Sequence, residues 1–293
     1  MKFSIITPTY NRASSIKRAI QSILNQSYQN FEMIIIDDGS TDNTLDVLKK
    51  FSHDSRIKVF KSKNNGGVNV ARNIGLKNIS KDVDWVTFLD SDDEFFFDAL
   101  EKIKLSIENN ILINYFRFPV QYTDGSIQNS SYLFNTYGDY EKYLKNIDNY
   151  GDWVTVINRK VILDGFVFCE EVNAFELIAW LSLSKKENVY YDKSAVLLCH
   201  IDNDSISRPK EKPLSYYKNA IQGYSIILNE FGDDLLKNNK KVYISYLFLL
   251  SYLNILVGNN ILGLKQTLKA MKYDFFNIRT LRNFISFTYP KYK

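Results

Sequence analysis

The first hundred residues alternate between short apolar runs and segments in which apolar residues recur with helical spacing. A β-rich run over residues 2–7 is expected to end at Pro8. The next segment has apolar residues at i, i+3, i+4, i+7 and i+8, which predicts a helix with one apolar face. Those residues are Ile16, Ala19, Ile20, Ile23 and Leu24. Repetition of this strand-and-helix unit predicts an α/β fold with a mostly parallel, doubly wound sheet.

The same patterns predict the remaining elements. Strands are expected at residues 31–36, buried on both faces over most of their length, and at 57–60, 85–89 and 111–122, with one or two more over 189–199. Apolar character resumes over residues 153–163. Helices are expected after a cap at Ser40 or Thr41, and over 68–77, 98–109 and 176–184. From about residue 213 the pattern is helical throughout, so the chain is predicted to end in a helical region.

Polar residues follow three of the predicted strands at the point where each strand ends. They are Pro8-Thr9-Tyr10, Asp37-Asp38 and Asp90-Ser91-Asp92-Asp93. Each motif alone also fits an ordinary turn or helix cap. Together they lie at the edge of an α/β sheet where ligands bind, and converging carboxylates repel one another unless a cation or ligand compensates. Because Mg²⁺ takes one or two carboxylates plus phosphate oxygens, the set predicts a nucleotide diphosphate site.

Composition narrows the chemistry. The 293 residues are 45% hydrophobic and 24% charged, as in globular proteins. Two cysteines and two histidines exclude a disulfide scaffold and a zinc site of the HExxH or Cys-His kind, so any metal must be held mainly by oxygen ligands. The sequence has no G-x-G pair, no P-loop string and no G-x-S-x-G string. The N-terminal residues do not resemble a signal peptide, so a cytoplasmic location is expected.

The positive charge is concentrated at the C-terminal end. The net charge is +4, but residues 258–293 hold seven Lys and Arg against Asp274 alone. Residues 242–264 are uncharged, yet Gly258-Asn259-Asn260 interrupts them, which favours a helical hairpin over a membrane span. The basic, aromatic segment 265–293 is expected to lie on an anionic membrane surface, with homodimer packing as the alternative. No nucleic-acid recognition module accompanies it, so nucleic acid is not an expected partner.

Four motifs stand in a fixed order in the first half of the chain. They read SIITPTYNR, IIIDDGSTDNT, NNGGVNVARNIGL and WVTFLDSDDEF. This series resembles family 2 glycosyltransferases, which are inverting enzymes with the nucleotide-binding GT-A fold. The resemblance implies a GT-A domain over residues 1–210, with a nucleotide-binding half (1–110) and an acceptor-binding half (111–210). A helical appendage over 211–293 would follow.

The resemblance implies roles for the residues at the first two strand ends. Pro8, Thr9 and Tyr10 would line the pocket for the nucleotide base. Asp38 would hydrogen-bond the base or the ribose, with Asp37 beside it.

The donor sugar and diphosphate are assigned to the other two motifs by the same resemblance. Arg72 and Asn73 would border the donor pocket. Asp90-Ser91-Asp92 is similar to the family's D-x-D motif, with Asp90 toward the ribose or donor sugar. Asp92 would bind the cofactor, Mn²⁺ or Mg²⁺, on the diphosphate.

Inverting transfer requires a carboxylate that takes the proton of the acceptor hydroxyl. The family's Glu-Asp pair appears here as Phe175-Glu176, so Glu176 is the expected general base. Glu170 and Glu171 are the nearest alternatives. Glu176 could instead only stabilise the helix N-terminus.

Two further residues have a functional and a structural interpretation. His200 lies in a segment similar to the one that closes over the active site in this family, and it is a candidate phosphate or metal contact. A structural histidine at a strand end is the alternative. Trp153 is a candidate acceptor-side ring that stacks on a sugar, with core packing as the alternative.

The resemblance implies a metal-dependent hexosyl- or N-acetylhexosaminyl-transferase. The donor would be a nucleotide sugar, a UDP-sugar above all, and the acceptor a glycan or polyprenyl-linked molecule. The setting would be bacterial surface polysaccharide or lipopolysaccharide synthesis at the inner face of the cell membrane. A sugar nucleotidyltransferase and a non-catalytic carbohydrate-binding protein are the alternatives.

Overall fold

The computed structural model describes residues 1–127, 131–147, 152–200 and 212–274. They form two compact units, one of Met1–Tyr140 with Asn149–Asn203 and one of Glu141–Asp148 with Asp204–Lys293. The predicted boundary after residue 210 lies outside the described residues. The predicted division of the catalytic region at residue 110 stays a prediction.

The first unit contains strands and helices that alternate along the chain, as the periodicity predicts. The strands are β1 (Phe3–Thr9), β2 (Phe31–Asp37), β3 (Ile57–Lys61), β4 (Trp85–Phe88), β5 (Glu94–Phe95), β6 (Tyr115–Tyr122), β7 (Thr136–Gly138), β8 (Trp153–Asn158), β9 (Val189–Tyr191) and β10 (Leu197–Cys199). The helices are α1 (Ile16–Leu24), α2 (Thr44–Lys49), α3 (Val68–Lys77), α4 (Ala99–Asn109), α5 (Tyr140–Lys145), α6 (Arg159–Leu163) and α7 (Glu176–Ser184). Most of α5 belongs to the second unit.

The sheet has a parallel part and a mixed part. Strands β3, β2, β1 and β4 lie side by side in this order, all parallel. Strand β8 is antiparallel to both β4 and β6, whereas β9 and β10 are parallel to β6. The carboxyl ends of β1, β2 and β4 therefore meet at one edge, as expected for the candidate site.

Strand β2 is covered on both faces. Phe31, Met33 and Ile35 belong to the main hydrophobic cluster, which also includes residues of α1. On the other face, Ile34 and Ile36 pack in a separate cluster with Ala71 of α3. All seven residues of β2 are buried, which confirms the prediction of a strand buried on both faces.

Pro8 does not end the first strand, contrary to expectation. Strand β1 continues to Thr9, and Pro8 pairs in register with Ile36 of β2. Its pairing with β4 ends at Ile6. A proline is tolerated at this position because β1 pairs there only with β2. On the β4 side no ladder hydrogen bond is lost through the missing N–H.

The predicted cap of the second helix is also wrong. Helix α2 begins at Thr44, after Asn43, and Ser40 and Thr41 lie in the loop before it. Both hydrogen-bond Asn11 instead: Ser40 Oγ accepts from its amide at 2.9 Å, and the Thr41 amide donates to Asn11 Oδ1 at 2.8 Å. These side chains therefore join the ends of β1 and β2.

The second unit contains three further helices, α8 (Leu214–Asn238), α9 (Lys240–Leu256) and α10 (Asn260–Met271). The turn expected at residues 258–260 is confirmed, with Gly258 at a φ of 88°. Helices α9 and α10 approach closely at Gly263, whose carbonyl accepts a hydrogen bond from Ser251 Oγ at 2.8 Å. None of the helices within the described ranges is long and apolar enough to cross a membrane. Residues 275–293 of the basic segment lie outside the described residues.

Candidate active site

Asp38 ties the end of β2 to the loop before α3. Its amide donates to the Thr9 carbonyl at 2.8 Å, and its carboxylate accepts from the amides of Gly66 and Gly67, with a shortest distance of 2.7 Å. The residue is 3% exposed. A carboxylate bound to backbone amides is well placed as a fixed negative group, and its contact with a nucleotide stays a prediction.

The other predicted base-pocket residues differ in accessibility. Pro8 and Thr9 are buried in β1, whereas Tyr10 is exposed at the rim, beside the turn at Asn11. Asp37 is fully buried. Its Oδ1 accepts from the Ser40 amide at 3.3 Å, and its Oδ2 has no hydrogen-bond partner among the described residues. Of the residues assigned to this pocket, Tyr10 therefore offers the most side-chain surface to a ligand.

The loop after β4, residues 90–93, contains three carboxylates, and two arginines from elsewhere in the chain contact it. The Asp90 side chain is 50% exposed, and Ser91 is buried beneath it. Arg12 Nη2 lies 3.4 Å from Asp92 Oδ2, and Arg18 donates to the Asp92 carbonyl. Guanidinium groups from the segment after β1 thus partly compensate the negative charge of this loop.

Asp93 is the partly buried carboxylate of this loop that bonds the backbone of a neighbouring strand end. Its carboxylate accepts from the His200 amide at 2.9 Å. Burial, followed by the nearby charge of Asp90, raises the pKa of Asp93 to about 7. The same surroundings raise the pKa of the Cys199 thiol well above its usual range, through burial and then the charge of Asp93. Burial and the neighbouring carboxylate thus both disfavour the charged form of Asp93.

His200 contacts Glu94 rather than the exposed carboxylates. Its Nε2 lies 2.7 Å from Glu94 Oε1, which is also 3.4 Å from Arg18 Nε. This geometry favours the structural alternative for His200, whose metal contact stays a prediction. Within the described residues, the structure has no group of three or more His, Cys, Asp or Glu arranged to hold a metal ion.

Asp90 and Asp92 nevertheless fit a hard divalent cation. Both offer carboxylate oxygens, the ligand type that Mg²⁺ and Mn²⁺ prefer, and both side chains are partly exposed, at 50% and 25%. A diphosphate would complete such a site with its own oxygens, so two protein carboxylates suffice.

Arg72 joins this acidic loop to the expected base. Its Nη2 lies 2.8 Å from Asp90 Oδ1, and its Nη1 donates to Glu176 Oε1. The side chain is 5% exposed, between the rings of Phe88 and Phe168. Burial alone would lower the pKa of Arg72, but the two carboxylates outweigh it and raise that pKa above its ordinary value. Arg72 is therefore a buried, permanent cation between two partly exposed carboxylates.

The three candidate glutamates lie in different surroundings. Glu176 is the first residue of α7 and its side chain is 36% exposed, so it is accessible beside Arg72. Glu170 Oε1 accepts from Asn73 Nδ2 at 2.8 Å. Glu171 is exposed to solvent. Only Glu176 is linked to the acidic loop through Arg72, which favours it over the two alternatives.

Two further predicted residues have contacts outside the acidic loop. Asn73 is 3% exposed and bonds the backbone of Phe168, with its amide nitrogen 2.9 Å from that carbonyl. Trp153 packs edge-on against the rings of Phe134 and Tyr191, with centroids 6.2 and 5.3 Å away. These contacts favour core packing for Trp153. Asn69 was not among the predicted site residues, yet its side chain donates to the carbonyls of Cys169 and Val172, both in the segment before α7.

Comparisons with known proteins bear on the family and the fold of the chain. A family model described as Glycosyl transferase family 2 matches residues 4–166. A Haemophilus influenzae protein named as an uncharacterized glycosyltransferase is 43% identical over 114 residues, 38% of this chain and 45% of that protein. The Escherichia coli UDP-Glc:alpha-D-GlcNAc-diphosphoundecaprenol beta-1,3-glucosyltransferase WfgD is 35% identical over 191 residues, 64% of this chain and 71% of that protein.

The fold is likewise found among solved structures. S. aureus TarS 1–349 in complex with UDP-GlcNAc superposes with a TM-score of 0.61 at 20% identity, over 87% of this chain and 73% of that chain. This likeness confirms the expected α/β fold with a helical C-terminal region. The chain spans only 16% to 45% of the length of four relatives named as uncharacterized glycosyltransferases.

Proposed function

The chain belongs to glycosyl transferase family 2, and from that premise we propose that it transfers a sugar from a nucleotide diphosphate donor, a UDP-sugar, to a glycan or lipid-linked acceptor. The observation that carries the proposal is the contact of Arg72 with both Asp90 and Glu176. This contact links Asp90, in the motif assigned to the donor, with Glu176, a carboxylate that could act as the general base. The names of WfgD and TarS, one with UDP-Glc and the other bound to UDP-GlcNAc, support the donor class.

Glu176 is the general base of the proposed reaction. The acceptor hydroxyl oxygen attacks the anomeric carbon while the bond from that carbon to the diphosphate oxygen breaks. The hydroxyl proton moves to the Glu176 carboxylate, and the nucleoside diphosphate leaves with the bonding electron pair. Attack opposite the leaving group inverts the anomeric centre. Arg72 orients the Glu176 carboxylate through its hydrogen bond and is too strong a base to release its own proton.

Asp92, with Asp90 beside it, would hold Mn²⁺ or Mg²⁺. When bound, the cation would stabilise the negative charge that develops on the departing diphosphate. The guanidinium of Arg12 would also help to stabilise that negative charge, because it lies 3.4 Å from Asp92. Tyr10 and Asp38 are the proposed contacts for the nucleotide base and ribose.

A nucleotide-sugar panel tests the proposed function. We expect release of UDP from a UDP-sugar in the presence of Mn²⁺ or Mg²⁺, increased by an acceptor glycan. Release of pyrophosphate instead would identify a nucleotidyltransferase. If calorimetry detects sugar binding but no UDP binding, the protein is a carbohydrate-binding module and the proposal is wrong.

We further propose that the C-terminal helices bind an anionic membrane surface at its cytoplasmic side, where a lipid-linked acceptor would be held. Helix α10 exposes Ile261 and Leu268 together with Lys265 and Lys269, and the exposed Lys272 follows its last residue. Apolar residues beside lysines suit a bilayer with anionic headgroups.

Vesicle sedimentation tests this membrane proposal. We expect binding to phosphatidylglycerol vesicles and little binding to phosphatidylcholine vesicles, with a loss of binding in Lys265→Glu/Lys269→Glu. If that variant instead dissociates a dimer in light scattering, the surface is a subunit interface.

A further inference from the structure

Helix α3 has a buried polar face. Asn69, Arg72 and Asn73 lie at i, i+3 and i+4, and each is at most 4% exposed. Buried polar side chains need hydrogen-bond partners, and a helix presents such residues on one side. The resemblance to the family implies that Arg72 and Asn73 border the donor pocket. The hydrogen bonds of Asn73 lead elsewhere, to the segment that precedes Glu176.

Asn73 is bonded to the start of that segment. Its Nδ2 donates to the Phe168 carbonyl at 2.9 Å and to Glu170 Oε1 at 2.8 Å. Its Oδ1 accepts from the Phe168 amide at 2.8 Å. The side chain therefore engages both backbone groups of Phe168, much as a neighbouring strand would, and this fixes the local direction of the chain.

Asn69 is bonded to the middle of the same segment. Its Nδ2 donates to the carbonyls of Cys169 and Val172, both at 2.9 Å. At the first turn of α3, the Val68 amide donates to Asn173 Oδ1 at 2.9 Å. The helix thus contacts the segment at residues 168, 169, 170, 172 and 173.

Regular secondary structure does not set the path of this segment. Residues 164–175 are all described, and none of them lies in a strand or helix. Backbone ladders therefore do not fix its path. Glu176 follows directly, and its carboxylate accepts from Arg72, the third member of the same helix face.

We infer that Asn69 and Asn73 are positioning residues: through residues 168–175 they place the carboxylate of Glu176, and they do not contact the donor. The inference rests on the proposed function, since it assigns a purpose to the position of Glu176. A displacement of the base by about 1 Å would cost about 100-fold in turnover without weakening donor binding.

Asn69→Asp and Asn73→Asp test the inference because they keep the side-chain shape and remove the donated bonds. Asn78→Asp is the matched control, since Asn78 ends the same helix but donates only to the Ile74 carbonyl, at 2.7 Å. Hydrogen exchange of residues 166–175 and the dissociation constant of UDP are measured for each variant. Turnover in sugar transfer is measured alongside them.

We expect exchange in residues 166–175 to become about tenfold faster in both test variants and to stay unchanged in Asn78→Asp. Turnover should fall about 100-fold while the UDP dissociation constant stays within about twofold of the wild type. Weaker UDP binding with unchanged exchange would overturn the inference, because Asn73 would then be a donor contact. Unchanged exchange and unchanged binding would overturn it as well.

Exchange and UDP binding are independent of catalysis. If the wild-type protein transfers no sugar but exchange still increases in the variants, the proposed function fails while the structural part of the inference stands. Should Asn73→Asp not fold, Asn73→Ser removes the same donors without adding a second carboxylate beside Glu170, and the same outcomes apply.

Discussion

On the donor side of the candidate site, Asp38 and the acidic loop follow directly from strands β2 and β4, whereas Glu176 follows a segment outside the sheet. Asp38 is held by backbone amides of a neighbouring loop. Glu176 is placed by side chains of one helix, Arg72 above all. The proposed donor side therefore follows from the backbone of the fold, while the position of Glu176, the proposed base, depends on a few side-chain contacts. We expect substitutions to affect the two sides differently.

Glu176→Gln should have the largest effect. Loss of the base is expected to reduce transfer by about 10²–10⁴-fold, because the amide cannot take the acceptor proton. UDP binding should be unchanged, since Glu176 lies on the other side of Arg72. Steady-state kinetics and calorimetry measure the two quantities. A larger loss in Glu170→Gln or Glu171→Gln would assign the base to one of those residues instead.

Asp92→Asn should affect only the donor side. With one metal-binding carboxylate lost, we expect UDP to bind about 10-fold to 100-fold more weakly in Mn²⁺, and chelation of the metal should weaken wild-type binding similarly. UMP is the matched ligand, because it lacks the second phosphate that the cation would contact. Equal effects on UMP and UDP would argue against a metal at this position.

Gly67→Ala tests the contact between the loop that binds Asp38 and the segment before Glu176. Gly67 has a φ of 90°, its amide donates to Asp38, and an added Cβ would lie 2.7 Å from Asn173 Oδ1. We expect a loss of about 1–3 kcal/mol in the free energy of unfolding, measured with urea. Gly125→Ala is the control, because Gly125 has a φ of 83° but open space around it. Equal losses would mean that only the backbone angle matters at Gly67.

Glu32→Gln should have the smallest effect and spare the site. Burial raises the pKa of Glu32, but hydrogen bonds from Lys58 and Ser80 outweigh it and lower that pKa below its ordinary value of 4.5. The charged form therefore stabilises the protein above pH 4.5, and this contribution is lost as the pH falls further. We expect a lower melting temperature for Glu32→Gln at pH 7 and a smaller difference near pH 4. A change in UDP binding would contradict the expectation that the Glu32–Lys58 ion pair has no part in the candidate site.

The periodic elements were the most predictable part of the fold. The bounds predicted for the helices at 68–77 and 176–184 match α3 and α7. The strand ends were also singled out by their position after predicted strands, and Glu176 by the resemblance to the family's Glu-Asp pair. The mixed pairing of β8 was not anticipated, because an apolar run does not reveal the direction in which a strand pairs. The continuation of β1 through Pro8 was missed because it depends on which neighbours the strand has at that level.

The candidate site was predictable wherever a residue follows a strand. Asp37, Asp38 and Asp90 to Asp93 were placed at one sheet edge, where the structure has them. Asn69 was overlooked, because an asparagine on a helix is usually exposed, and only its bonds to Cys169 and Val172 reveal another purpose.

By itself, the sequence determined the order of strands and helices and the acidic residues at the strand ends, since both follow from short-range periodicity and turn chemistry. The tertiary structure alone decided that Arg72 lies between Asp90 and Glu176, two carboxylates 86 positions apart in the chain. Only the tertiary structure shows that side chains of α3 hydrogen-bond the segment at residues 168–173. Contacts between such distant segments arise from burial and hydrogen-bond satisfaction in the folded chain, which local patterns do not encode.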